Sequence, residues 1–85
     1  MTKFNQAKFK SKAKKLVVKY LNYQIDEKDV FILWSSKVGV NAKAMLSSDR
    51  DYHYFEVTYL IEEGVYIVDV YRHVGRDEFH GEELP

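Results

Sequence analysis

The chain is 85 residues long, 46% apolar and 15% aromatic, with one proline, four glycines and no cysteine. That composition excludes a disordered chain, a disulfide scaffold, a thiolate metal site and thiol catalysis, and the length predicts one domain, residues 1–85, burying about 60–65% of its extended surface. The formal charge is zero but unevenly placed: the first 23 residues hold Lys3, Lys8, Lys10, Lys12, Lys14, Lys15 and Lys19 and no carboxylate, so a segment of +7 precedes one of −7.

Between Asn5 and Gln24 the apolar positions Phe9, Ala13, Leu16, Val17 and Tyr20 follow helical spacing, uninterrupted by glycine or proline. The spacing predicts a helix over about residues 5–24, ~30 Å long. On its wheel Lys8, Lys12, Lys15 and Lys19 stack along one edge of the apolar stripe, and Lys10 and Lys14 border the other. Lysine stems cover the margins of a core-facing stripe in many proteins. That is the leading reading here; a partner-binding row is the second, and one detail speaks for it: Lys3 and Lys8 sit near the positive end of the helix dipole, where cations are mildly unfavourable.

After Lys28 the period changes to two. Asp29 to Trp34 is β-branched and aromatic on both faces, which predicts a strand covered on both sides. Val38 to Asn41 supplies a turn, Ala42 to Leu46 a second strand, and Ser47 to Asp51 a polar loop. Tyr52 to Ile61 and Val65 to Val74 then flank Glu62-Glu63-Gly64 as a hairpin. If Glu63-Gly64 forms a two-residue loop, Ile61/Tyr66, Tyr59/Val68, Val57/Val70 and Phe55/Arg72 pair on an apolar face. Leu60/Ile67, Thr58/Asp69, Glu56/Tyr71 and Tyr54/His73 then pair on a mixed one. A one-residue slip would mix core with solvent positions, and a three-residue loop with a glycine bulge is the other turn these residues allow.

The predicted fold is α+β: one N-terminal helix packed on a four-stranded antiparallel sheet, an α-β-β-β-β meander with the sheet over about residues 29–74 and an acidic tail over 75–85. A single helix covers one face. The other would carry Tyr54, Leu60, Ile67 and Tyr71, with either Phe31 and Leu33 or Val30, Ile32 and Trp34 from the first strand. Contiguous apolar surface of several hundred Å² is rare on a monomer. The tail with Phe79 and Leu84, a second copy of the chain, and a foreign partner are the three candidate covers. Tyr54, Glu56, Leu60, Ile67 and Tyr71 are therefore the candidate protein-binding residues.

Chemistry is poorly represented. Glu56, Asp69, Tyr71 and His73 would share the outer face, where cross-strand polar pairs of this kind are common, and Asp69, Asp77, His73 and His80 match no standard zinc or calcium spacing. No phosphate loop or nucleophile motif occurs, so no enzyme, metal, cofactor or small-molecule substrate is expected. No apolar run approaches the roughly 18–20 residues of a membrane span, and a cytoplasmic protein is expected. Nucleic acid is the alternative partner, bound through Lys8, Lys12, Lys15 and Lys19, although Glu56 and Asp69 among the sheet aromatics would repel phosphates.

Three stretches carry a resemblance: Asp29 to Lys37, Asn41 to Ser48, and Tyr54 to Tyr59 with Asp69 to Tyr71. Over roughly residues 26–72 the chain resembles a family of short proteins of unknown function encoded by phages and prophages of Gram-positive bacteria. The family usually has a Thr-Leu-Gln-like stretch at Val38 to Val40 and a shorter connection at Asp49 to His53. The resemblance implies a phage setting, in which small proteins without enzymatic motifs bind and block a host enzyme or defence complex, CRISPR effectors included. It brings no catalytic residue.

Overall fold

The computed structural model describes residues 4–72 and 74–83. Helix α1 (Gln6–Tyr20) is followed by four strands, β1 (Val30–Val38), β2 (Asn41–Ser48), β3 (Asp51–Leu60) and β4 (Val65–Arg72). They form one antiparallel sheet in the order β1-β2-β3-β4, so the α+β meander read from the sequence is the fold. Short 3-10 turns lie at Glu27–Asp29 and Gly81–Glu83.

Asn5 starts the helix by accepting a hydrogen bond from the Lys8 backbone N–H at 3.0 Å, which satisfies one of the free donors of the first turn. The helix stops four residues earlier than its predicted end. Asn22 takes φ 54° and Tyr23 φ 60°, and their N–H groups donate back to the carbonyls of Lys19 and Val18 at 3.0 and 2.9 Å. This is a Schellman cap with asparagine where glycine is usual, followed by a tyrosine in the same left-handed region. The periodic pattern could not show it, because no glycine marks the stop.

Phe9, Ala13 and Val17 come from the predicted stripe and are buried against Val30, Ala42, Ala44, Leu46, Phe55 and Val57. Fully burying each of the phenylalanine, leucine and valine side chains contributes about 1.5–3 kcal/mol, and each alanine less. Val18 is also buried, and Leu16 and Leu21 pack at the margin. The Gln6 side-chain amide donates to the Ser35 hydroxyl at 2.7 Å, tying the first turn of the helix to β1.

Two register features differ from the sequence reading. The last hairpin pairs Leu60 with Val65, Thr58 with Ile67, Val57 with Val68, Glu56 with Asp69, Phe55 with Val70 and Tyr54 with Tyr71. The two-residue loop expected at Glu63-Gly64 is therefore a four-residue loop, Ile61 to Gly64, closed by the Glu63 and Gly64 N–H groups on the Leu60 carbonyl at 3.1 and 2.8 Å. Gly64 takes φ 66° to bring the chain back into β4. A register change of two residues leaves every side chain on its predicted face. The pairing of Tyr54 with His73 is replaced by Tyr54 with Tyr71, and His73 itself lies outside the described residues.

The second difference is a bulge in β1. Ile32 pairs with Leu46, but Trp34 pairs with Met45 and Ser35 with Ala44, so Leu33 is an extra residue. Val30 and Ile32 face the helix before the bulge and Ser35 faces it afterwards, while Phe31 and Trp34 share the outer face. Neither strictly alternating set proposed for this strand holds along its whole length, since one inserted residue reverses the faces.

Replacing Phe9 by alanine is expected to cost about 3–5 kcal/mol in urea unfolding, whereas Ile67→Ala on the outer face stays within about 0.5 kcal/mol. At the cap, Asn22→Ala is expected to cost about 1 kcal/mol and Asn22→Gly nothing, since only alanine is strained in the left-handed region.

Candidate functional site

The outer face of the sheet is a grid set by the strand pairing. Its middle row crosses all four strands as Trp34, Met45, Glu56 and Asp69. The next row is Ser36, Lys43, Thr58 and Ile67, and the one beyond it Val38, Asn41, Leu60 and Val65. On the other side of the middle row lie Phe31 and Ser47, with Tyr54 opposite Tyr71. All five predicted protein-binding residues, Tyr54, Glu56, Leu60, Ile67 and Tyr71, share this face.

Among the described residues nothing lies over it. Trp34 is 45% exposed, Ile67 41%, Tyr54 43% and Tyr71 49%, large values for apolar side chains in a sheet. The tail does not fold back: every residue from 74 to 82 is exposed, and Phe79 is 69% in solvent. Strand spacing and rise give the face an area of about 500 Å². Only part of that area is apolar, since Ser36, Lys43, Glu56, Thr58 and Asp69 share the face, and exposed apolar patches on a monomer are often functional.

Acid sits in the middle of this surface. Glu56 and Asp69 are directly opposed, and like charges in that position are mutually destabilising. Lys43 Nζ lies 3.9 Å from Glu56, and among the described residues no other cation lies within 4.0 Å of either carboxylate. Their field, that of Glu56 first, raises the pKa of Tyr71 above its ordinary 10.0, with burial and Asp69 adding to the effect.

The helix lysines form a second surface on the inner side of the molecule. Lys8, Lys12, Lys15 and Lys19 are all exposed, and among the described residues none has a carboxylate within 4.0 Å. Pairing with Asp26, Glu27 or the described tail is therefore not how this chain neutralises them. The row overhangs β4, whose inner residues Tyr66, Val68 and Val70 are only half-buried. Lys12 Nζ lies 5.8 Å from the Tyr66 ring centroid, within cation–π range. Tyr66 stacks on Tyr59 at 4.2 Å with 10° between ring planes, and Phe9 closes the cluster at 6.5 Å from each. Burial first, and Tyr59 second, hold the Tyr66 pKa above 10.0.

Other constellations do not gather. Among the described residues no three His, Asp or Glu side chains form a metal-sized group. His53 and Asp51 make a close pair, Nδ1 to Oδ1 at 2.6 Å, which the sequence reading did not single out although the Asp-x-His spacing on a strand shows it. The nearby Ser47 hydroxyl donates to the His53 carbonyl at 3.3 Å rather than to its ring, so the pair orders the β2–β3 turn and activates no nucleophile. Met45 and Tyr66 were not singled out as site residues, although Tyr66 was legible as an inner-face residue beside the helix. Trp34 stood in one of the two alternative sets for the uncovered face, and the bulge concealed that it shares that face with Phe31. No described helix is long and apolar enough to cross a membrane.

A family model covers residues 10–80, from the first turns of the helix to the tail. The chain belongs to DUF6275, a family of unknown function. The match takes in α1 from Lys10 onward and all four strands. No curated protein and no solved structure matches the chain.

Because Tyr66 holds its proton above pH 10.0 in the folded chain and loses it at the ordinary value when unfolded, its contribution is constant below that pH. Above it the unfolded state binds fewer protons, so stability falls as pH rises. Tyr66→Phe is expected to flatten this alkaline fall, measured by urea unfolding from neutral to alkaline pH.

Proposed function

We propose that this chain is a small phage-encoded, non-enzymatic protein-binding module that docks its open sheet face on a host protein. In this reading it acts in the host cytoplasm and blocks an enzyme or defence complex, as an anti-CRISPR protein would. The observation that carries the reading is the outer-face set Trp34, Tyr54, Ile67 and Tyr71, exposed around the half-buried Met45 with no lid among the described residues. Aromatic residues and methionine are what interfaces favour, and a desolvated centre surrounded by a polar rim is where binding energy concentrates.

Glu56 and Asp69 add chemistry to the shape. A partner that presents an apolar surface around one lysine or arginine would place that cation between two opposed carboxylates. Such a charge-assisted contact selects its partner more strongly than apolar area does. A homodimer through this face is the weaker version of the reading, because a second copy brings the same two acids.

Nucleic acid remains the second reading, and the unpaired ammonium row of α1 is what favours it. The sheet face offers it no support, since its central charges are negative.

The test is capture from a Gram-positive host lysate with three tagged full-length chains. The unaltered chain and Lys12→Ala/Lys15→Ala are expected to retain the same host protein, and Trp34→Ser/Ile67→Ser to lose it while keeping its fold by circular dichroism. With the partner purified, the sheet variant should bind at least about 30-fold more weakly, the effect of losing a hot spot of about 2 kcal/mol. Capture that survives the sheet substitutions refutes the reading, and capture abolished by nuclease or by the lysine substitutions alone supports nucleic acid instead.

A further inference from the structure

The two edges of the sheet are built differently. β1 is broken by the bulge at Leu33, carries Lys37, and is tied to the first turn of α1 by the hydrogen bond from Gln6 to Ser35. Bulges, lysines and covering segments are the devices that keep an edge from pairing with another chain. β4 has none of them. Its 8 residues, Val65–Arg72, pair with β3 in one unbroken register, and the segment contains no lysine, glycine or proline. Val65, Tyr66, Ile67, Val68, Val70 and Tyr71 are apolar and lie on both faces, the pattern of a strand inside a sheet. Yet β4 is last in the strand order, and among the described residues no segment pairs with its far edge.

We propose that β4 pairs antiparallel with β4 of a second copy of this chain, joining two sheets into one about a two-fold axis. The charges at the ends of the strand favour this partner. Glu62 and Glu63 precede β4 and Arg72 ends it; all three are exposed, and among the described residues Arg72 has no carboxylate within 4.0 Å. Antiparallel self-pairing sets each Arg72 beside the Glu62-Glu63 loop of the other copy, whereas parallel pairing sets like ends together. An isologous contact of this kind also closes, and it leaves only the guarded β1 edges exposed.

Asp69 selects the register. It is the one charge inside the strand, and an axis at Asp69 would oppose the two acids directly, which is destabilising. An axis at Ile67 pairs only Val65 to Asp69. An axis at Val68 pairs everything from Val65 to Tyr71 and moves the acids to diagonal positions. Tyr66 then lies opposite Val70 of the second copy and Val68 opposite Val68, so the half-buried inner residues of each copy cover those of the other. The strip that α1 is too narrow to seal is completed by its own image. The two lysine rows flank this joined strip with their ammonium groups in water, where salt screens them.

The tests use the full chain. At about 100 μM, ten times a Kd of about 10 μM, light scattering is expected to approach twice the 10.1 kDa of one chain. Amide exchange followed by NMR is expected to slow about 5-fold at alternate residues between Val65 and Tyr71 on concentrating to that point, since about one chain in five is then monomeric, and to stay constant along β1. Val68→Lys places two ammonium groups at the axis and is expected to give a monomer with unchanged circular dichroism. The chain has no cysteine, so Val68→Cys offers a single thiol, expected to cross-link two copies under mild oxidant far faster than Val38→Cys at the β1 edge. A strict monomer at about 100 μM overturns the proposal. So does β4 protection that is independent of concentration, which means that the chain's own tail covers the edge. A dimer that survives Val68→Lys and dissolves with Trp34→Ser/Ile67→Ser is stacked through the outer face, and it overturns the proposal too. Failure to capture a host protein changes none of these readouts, so the docking reading and this one fail separately.

Discussion

One helix is narrower than the sheet it must cover, and the rest of the molecule follows from that mismatch. An α-helix with its side chains is about 10–12 Å across, whereas four strands span about 19 Å. The helix therefore seals Val30, Ala42, Ala44, Leu46, Phe55 and Val57 and leaves Tyr66, Val68 and Val70 half-covered. Alanine at 13, 42 and 44 belongs to the same solution, since small side chains at the contact let the helix axis approach the sheet. A core this narrow leaves two surfaces unfinished, the uncovered strip beside the helix and the whole outer face.

Charge is distributed according to the same geometry. The lysine row stands over the uncovered strip, where its stems shield part of the aromatic cluster and its ammonium groups stay in water. The acid is divided: Asp26, Glu27, Glu62 and Glu63 line hollows beside the row, whereas Glu56 and Asp69 lie on the opposite face and Asp77, Glu78 and Glu82 along the exposed tail. A neutral chain arranged this way presents fields of opposite sign on different sides, which orients an approaching partner more than it stabilises the fold.

Much of this was legible in the letters, for identifiable reasons. Strong periodicity reveals which residues face the core, because it depends on many positions at once. Phe9, Ala13 and Val17 in the helix and the apolar face of the last hairpin are of that kind. The hairpin even tolerated a wrong loop length, as a two-residue change of register preserves the faces. Single insertions and caps depend on one residue each and were not legible. The extra Leu33 in β1 moved Trp34 beside Phe31, and the left-handed Asn22 and Tyr23 ended the helix early. The candidate face was thus identifiable on β3 and β4, but its β1 border required the bulge.

Opposed carboxylates in the centre of an apolar face limit what can cover it. Stacking two such faces about a two-fold axis parallel to the strands sets Met45 over Glu56 and Trp34 over Asp69. An axis across the strands sets Glu56 over Glu56. Either arrangement removes carboxylates from water without offering them a new cation, at a cost of several kcal/mol per ion. Lys43, at 3.9 Å and exposed, is too loosely held to compensate both. A partner of different composition meets no such obstacle, because a single basic side chain between Glu56 and Asp69 relieves their mutual repulsion on binding. The acids thus act against self-association through this face and in favour of a foreign basic contact, which is how a surface of about 500 Å² can be both sticky and selective.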